Sequence, residues 1–206
     1  MYQSLTFLDI IVPPIFLAFF YFISRRIVNN HIEKESYYQY FIPGLFAKLF
    51  GGLALCLIYI FYFKGGDTLN YYHDCTVISK LFLKTPMEAI RFTFQSLDSE
   101  IWLSMDESTS WLVYSYDIRA MMVDRLTWPL CFFSFNSYIG MTFLLGFISY
   151  FSIWRLYKMF VYEIPGIERQ FAFAILLAAG PPSFVSARAA SLITMPQAAH
   201  FHPLTS

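Results

Sequence analysis

Long stretches of apolar residues, separated by charged segments, dominate the chain. The four stretches cover residues 7–23, 41–63, 137–154 and 171–180 onward. The second carries a single charge, Lys48. As a helix rising 1.5 Å per residue it is about 35 Å long, enough to cross a hydrocarbon core of about 30 Å. The pattern therefore predicts four membrane-spanning helices.

The composition agrees with this pattern. Hydrophobic residues make up 57% of the chain and charged residues 14%, which is more apolar than an ordinary soluble domain. The formal net charge is zero and the basic residues are scattered, so nucleic acid is not an expected partner. Cys56, Cys75 and Cys131 lie far apart without a CxxC pair, and this spacing indicates neither a disulfide framework nor a metal site.

The charges between the first two stretches predict the orientation. Arg25, Arg26 and Lys34 lie there against Glu33 and Glu35. By the positive-inside rule this loop is cytoplasmic, which places the amino terminus outside, in a bacterial cytoplasmic (inner) membrane. A cleaved signal peptide is the alternative for the first stretch, but its basic residues precede the apolar run, whereas here they follow it.

Residues 64–136 are more polar and are predicted to form a long extracytoplasmic segment. Apolar residues recur at helical spacing over 67–84, which predicts an amphipathic helix. A capping box that begins at Thr85 predicts a second helix over 86–95. The apolar part of residues 111–135 is too short to cross, so we expect an interfacial or re-entrant segment.

The predicted fold class is all-α, a multi-pass transmembrane helical bundle with interfacial helices, formed by residues 1–177 as one domain. Residues 178–206 contain seven alanines, whereas the first 170 residues contain five. This change of composition is compatible with a disordered tail, but a frameshift or a misplaced gene end explains it at least as well. We therefore expect the chain to be the amino-terminal part of a larger protein.

A polar cluster follows the second stretch directly, from Lys64 to Asp74. Asp67 and Asp74 fall on one helical face, and a carboxylate with a raised pKa is a suitable general base, so both are candidate catalytic residues. The candidate substrate-binding residues here are Lys64 for a phosphate, Gly65 and Gly66 for close backbone approach, and Tyr71, Tyr72 and His73. In the alternative interpretation the glycines end one helix, Asp67 caps the next, and the tyrosines form an interfacial aromatic belt.

A second group of charges comprises Asp117, Arg119, Asp124 and Arg125. Arg119 and Arg125 are candidate binding residues for a pyrophosphate or carboxylate, because a guanidinium presents a planar fork to such anions. In the alternative interpretation the four charges pair with each other and anchor a surface helix. We expect no metal site, and no residue pattern supports a cofactor or a divalent cation.

Lys64-Gly-Gly-Asp67 followed by Tyr71-Tyr72, after a span, resembles the basic, glycine, aspartate and tyrosine pattern of EpsG-like exopolysaccharide polymerases. It is also similar to the first extracytoplasmic loop of GT-C-type membrane glycosyltransferases. The resemblance implies that a sugar leaves a polyprenyl phosphate carrier at the outer leaflet and joins an acceptor hydroxyl. Asp67 then corresponds to the acidic position and Tyr71 to the paired aromatic.

These observations predict an integral membrane protein that is part of a glycosyltransferase or polysaccharide polymerase. Its expected partners are the lipid bilayer and a polyprenyl-linked sugar. Two alternatives stay open: a non-catalytic membrane scaffold, and a transporter or flippase component in which charged residues line a pathway through the membrane.

Overall fold

The computed structural model describes residues 5–33, 35–95 and 99–163, and every regular element in these ranges is helical. The elements are α1 (Leu8–His31), α2 (Phe41–Leu57), α3 (Asp67–Lys84), α4 (Pro86–Phe94), α5 (Ser99–Ser104), α6 (Ile118–Phe133) and α7 (Tyr138–Glu163). A 3₁₀ turn, Ser36–Tyr40, leads into α2, and a π-helical stretch, Ile58–Phe63, continues it. The all-α prediction is confirmed for these residues. The predicted fourth span and the atypical tail lie outside them.

Three helices in the described residues are long and apolar enough to cross a membrane: Leu8–His31, Ser36–Phe63 and Tyr138–Glu163. The first and third are longer than predicted, because a charged residue need not end a helix. Arg25, for example, donates to the Tyr21 hydroxyl one turn earlier (3.0 Å) and continues α1.

The three long helices alternate in direction. The rings of Phe20 and Phe147 stack with centroids 4.1 Å apart, and the start of α1 contacts the start of α7, so these two helices run the same way. Cys56, near the end of α2, lies 3.1 Å from Thr142 near the start of α7. Helix α2 therefore runs opposite to α7, and α7 packs against both of the others.

Aromatic side chains form the core in the region where α2 begins and α7 ends. The Trp154 ring lies 4.9 Å from Phe41 and 5.0 Å from Tyr157, centroid to centroid. The buried Tyr150 hydroxyl donates to the Phe41 carbonyl (2.7 Å). Aromatic ring pairs of this kind stabilise the folded state by more than their buried area alone. The Tyr150 hydroxyl has its hydrogen-bond partner within the protein.

A buried carboxylate joins the starts of α1 and α7. Asp9 is 5% exposed, and it accepts a hydrogen bond from the Ser137 hydroxyl (2.8 Å). The Ser137 oxygen in turn accepts the backbone N–H of Gly140 (3.0 Å), which is an N-cap interaction. A negative charge at a helix amino terminus also interacts favourably with the helix dipole. Asp9, the acid near the start of the first apolar stretch, therefore stabilises the position at which α7 begins.

Helices α3 to α6, residues 67–133, lie between the second and third long helices in the chain, and we call them the insert. Its core includes Ile78 and Leu81 of α3 and Phe92 of α4, all fully buried. Helices α3 and α4 have almost the predicted bounds. The predicted capping box is wrong, because the Thr85 hydroxyl donates back to the Leu81 carbonyl (3.4 Å). The carboxylate of Glu88, the second side chain of the predicted box, accepts a hydrogen bond from Arg91 one turn later.

The close contact between α1 and α7 leads to a prediction for the effect of adding a side chain at Gly140. A Cβ there would lie 2.8 Å from a methyl group of Val12, a β-branched side chain with little freedom to move. We expect Gly140→Ala to lower the free energy of unfolding by about 1–3 kcal/mol, measured by thermal unfolding in detergent. The control is Gly51→Ala, where nothing lies within 4 Å. Equal stability of Gly140→Ala and the wild type would contradict the close packing.

Candidate functional site

The Lys64 to Gly66 turn separates the second long helix from the insert. Lys64 ends the helix in the left-handed region, with φ of 49°, and its side chain is exposed. Gly66 has φ of 116°, a conformation that glycine adopts readily, and a Cβ there would lie 3.2 Å from the Tyr59 ring. Gly66 thus has a structural reason to be present. Gly66 occupies the N-cap position of α3, and Asp67 is the first helical residue.

Asp74 fastens a distant loop to α3. It has no exposed surface, and its two oxygens accept the backbone N–H groups of Val113 (2.7 Å) and Tyr114 (2.9 Å). His73, whose side chain is 43% exposed, lies with Nδ1 3.1 Å from one of the same oxygens. Asp74 therefore acts on the conformation of the loop of residues 105–117, and the catalytic role suggested for it stays a prediction.

Asp67 contacts the same loop through the side chain of Tyr114. The Tyr114 hydroxyl donates to an oxygen of Asp67 (2.9 Å) and accepts from the Asn70 amide (3.2 Å). The Tyr71 ring packs on Tyr114, with centroids 4.9 Å apart. Asp67 is half-buried, so a ligand reaches it more easily than Asp74. Tyr114 is thus a hydrogen-bond partner of Asp67 that the sequence pattern did not predict, and the correspondence of Tyr71 to the paired aromatic stays a prediction.

The adjacent tyrosines of α3 differ in their surroundings. Tyr71 is half-buried, and burial together with the nearby charges of Asp124, Asp117 and Asp74 raises its pKa. Tyr72 is buried and donates to the Asn136 carbonyl just before α7. Burial likewise raises the pKa of Tyr72 above its usual range. Tyr72 thus connects the insert to α7, whereas Tyr71 belongs to the candidate site.

Asp124 is the most unusual acid of the insert. It lies on the inner face of α6 with no exposed surface, and neither of its oxygens has a hydrogen-bond partner. Burial, with a smaller contribution from the Asp74 charge, raises the pKa of Asp124 to about 8. At neutral pH the side chain is therefore mostly protonated. The sequence gives no signal that sets Asp124 apart, because α6 carries apolar residues on both faces and an arginine follows the acid directly.

The two arginines do not gather around Asp67. Arg119 is exposed, and Asp117 accepts its backbone N–H rather than its guanidinium (2.9 Å). Arg125 donates to the Gln95 carbonyl (2.6 Å) and lies over a phenylalanine ring of α4. The alternative in which these charges pair with each other is wrong, because Asp124 has no partner. Among the described residues, no group of three or more His, Cys, Asp or Glu side chains is arranged to hold a metal ion.

Comparison with protein-family models, with curated proteins and with solved structures finds no match to this chain. The resemblance to polysaccharide polymerases and membrane glycosyltransferases stays a prediction.

The raised pKa of Asp124 predicts how stability depends on pH. The folded protein holds a proton that the unfolded chain releases near its ordinary value of 3.8. This group therefore makes the free energy of unfolding fall as the pH rises from about 4 to about 8, by roughly 1 kcal/mol per pH unit. Above about 8 the dependence on this group ends.

We expect Asp124→Asn to remove that slope, measured by denaturation of the detergent-solubilised protein between pH 4 and pH 9. Glu107→Gln, at an exposed position of the same insert, is the control and should keep the wild-type slope. An Asp124→Asn variant with the wild-type slope would show that Asp124 is ionised in the folded protein.

Proposed function

We propose that this chain is an integral membrane protein that transfers a sugar from a lipid-linked donor to an acceptor hydroxyl, with Asp67 as the general base. The observation that carries the proposal is the setting of Asp67. It is half-buried, lies in the first turn of a helix that directly follows an apolar span, and is oriented by the Tyr114 hydroxyl. A base in a defined position at the edge of a bilayer suits a donor whose lipid tail stays in the membrane.

The charge distribution supports an orientation with the insert outside. Arg25, Arg26, Arg155 and Lys158 lie towards the ends of the long helices that are remote from the insert. Lys158 is 3.7 Å from Glu35, so the end of α7 lies beside the loop between the first two long helices. By the positive-inside rule this end faces the cytoplasm, and the amino terminus and the insert face the opposite side of a bacterial inner membrane.

The proposed reaction uses the residues around the Lys64 turn. The acceptor hydroxyl gives its proton to the Asp67 carboxylate while its oxygen forms a bond to the anomeric carbon of the sugar. The bond between that carbon and the carrier phosphate breaks, and the lipid phosphate leaves with the electron pair. In this proposal Lys64, which is exposed and lies three residues before Asp67, balances the charge of the departing phosphate with its ammonium group.

A non-catalytic membrane scaffold is the second candidate. It is favoured by the role of Asp74, which stabilises the fold of the insert and has no surface for a substrate. A transporter or flippase component is the third, since Lys48 lies half-buried within the Ser36–Phe63 helix. In the scaffold, replacing Asp67 should leave function intact, whereas deleting residues 86–125 should not.

We expect Asp67→Asn to lower sugar transfer by about 10²- to 10⁴-fold, because an amide is isosteric but cannot accept the proton. Tyr114→Phe should have a smaller effect, since it loses the orienting hydroxyl and keeps the base. The measurement is surface polysaccharide made by cells that carry each variant as their only copy, with the amount of protein determined in parallel. Glu107→Gln is the matched control. Normal polysaccharide with Asp67→Asn would rule out the catalytic role.

A further inference from the structure

Helix α6 has apolar residues on both of its faces. One face packs into the insert and holds Asp124 among buried residues such as Ala120 and Cys131. The opposite face carries exposed apolar residues at helical spacing, which we call the α6 stripe. Its members are Ile118 (69% exposed), Met122 (51%), Leu126 (79%) and Phe133 (64%). A helix face in contact with water is normally polar, so the α6 stripe needs a covering.

Helix α6 itself is not a suitable membrane span. Its 16 residues make about 24 Å of helix, which is shorter than a hydrocarbon core of about 30 Å. It also carries Arg119, Asp124 and Arg125. The apolar outer face is therefore not explained by a crossing of the bilayer.

The chain holds α6 close to the level where the long helices begin and end. Only four residues separate Phe133 from the start of α7, and Asn136 N donates back to the Cys131 carbonyl within this turn (2.9 Å). The exposed ring of Phe135 lies in the same turn. The other end of the insert, at Asp67, follows the second long helix after three residues. The carboxyl end of α6 is therefore held close to the start of α7, the third helix that could cross a membrane.

We propose that α6 lies along the membrane with its stripe embedded in the boundary between head groups and acyl chains. This inference rests on the membrane location proposed above. Arg119 is exposed beside the stripe, where a guanidinium meets lipid phosphates, as in interfacial amphipathic helices. The partner is therefore the lipid surface, recognised by apolar burial flanked by positive charge.

This placement has a consequence for the candidate site. Asp124 is buried on the inner face of α6, and this helix packs against α3, which carries Tyr71. The residues around Tyr71 and Tyr114 then lie directly behind a helix that is seated in the leaflet. A lipid-linked donor reaches them while its tail remains among the acyl chains.

Spin labels test the proposal directly. Nitroxides are attached to Met122→Cys and Leu126→Cys in the full chain reconstituted in vesicles of phosphatidylethanolamine and phosphatidylglycerol. Collision rates are measured with oxygen, which concentrates in lipid, and with a neutral nickel chelate, which stays in water. The native cysteines are at most 3% exposed, and the unsubstituted protein measures their background labelling. The controls are Phe19→Cys, exposed on α1, and Glu107→Cys, exposed in the insert.

We expect oxygen collisions to exceed nickel collisions at positions 122 and 126, as at 19, and the reverse at 107. Nickel collisions dominating at 122 and 126 while 19 reports lipid would overturn the inference and leave the membrane proposal intact. Weak collisions with both reagents at 122 and 126 would also overturn it, because protein would then cover the stripe. Nickel collisions dominating at 19 as well would refute the membrane location itself.

Discussion

The buried carboxylate of Asp74 is the contact on which the candidate site depends. It accepts two consecutive backbone N–H groups, from Val113 and Tyr114, which lie about forty residues away along the chain. A buried carboxylate is costly unless hydrogen bonds satisfy it, and a loop without regular structure needs partners for its backbone. The carboxylate of Asp74 and the two backbone N–H groups of the loop therefore satisfy each other's hydrogen bonds. The position of the Tyr114 side chain, and hence its bond to Asp67, follows from this one arrangement.

A second set of contacts connects the insert to the long helices. Tyr72 donates to the carbonyl that precedes α7, and Asp9 accepts from the residue that caps α7. The start of α7 is therefore held from the side of α1 and from the side of α3. This double attachment couples the core of the three long helices to the core of the insert. The candidate site is therefore held at a fixed position relative to the ends of the helices that could cross a membrane.

Local features of the structure were predictable from the sequence. Helix α3 has the predicted bounds because its apolar spacing, the glycines before it and the proline-containing segment after it all agree. The apolar stretches likewise predicted the long helices that the described residues contain. Their ends were underestimated at Arg25 and beyond Trp154, because amphipathic side chains such as Lys158 continue a helix past the apolar region.

The contacts of the candidate site were not predictable in the same way. No periodicity relates Asp67 to Tyr114, which are brought together only when Asp74 fixes the loop. The capping box at Thr85 failed because Arg91 and the Leu81 carbonyl compete for its two side chains. Asp124 resembled a surface charge because its neighbour Arg125 is polar, yet α6 turns the acid inward and unpaired. Tertiary contacts decided each of these cases.

Hydrogen exchange at the amides of Val113 and Tyr114 shows whether Asp74 holds the loop of residues 105–117. We expect both amides to exchange slowly in the wild type, because the buried Asp74 carboxylate accepts a hydrogen bond from each of them. In Asp74→Asn, at least one of them should exchange faster, since the amide group presents one oxygen instead of two. The amide of Ile78, in the middle of α3, should keep its protection and show that the insert is still folded. Unchanged protection of Val113 and Tyr114 in Asp74→Asn, with Ile78 also protected, would contradict the role given to Asp74.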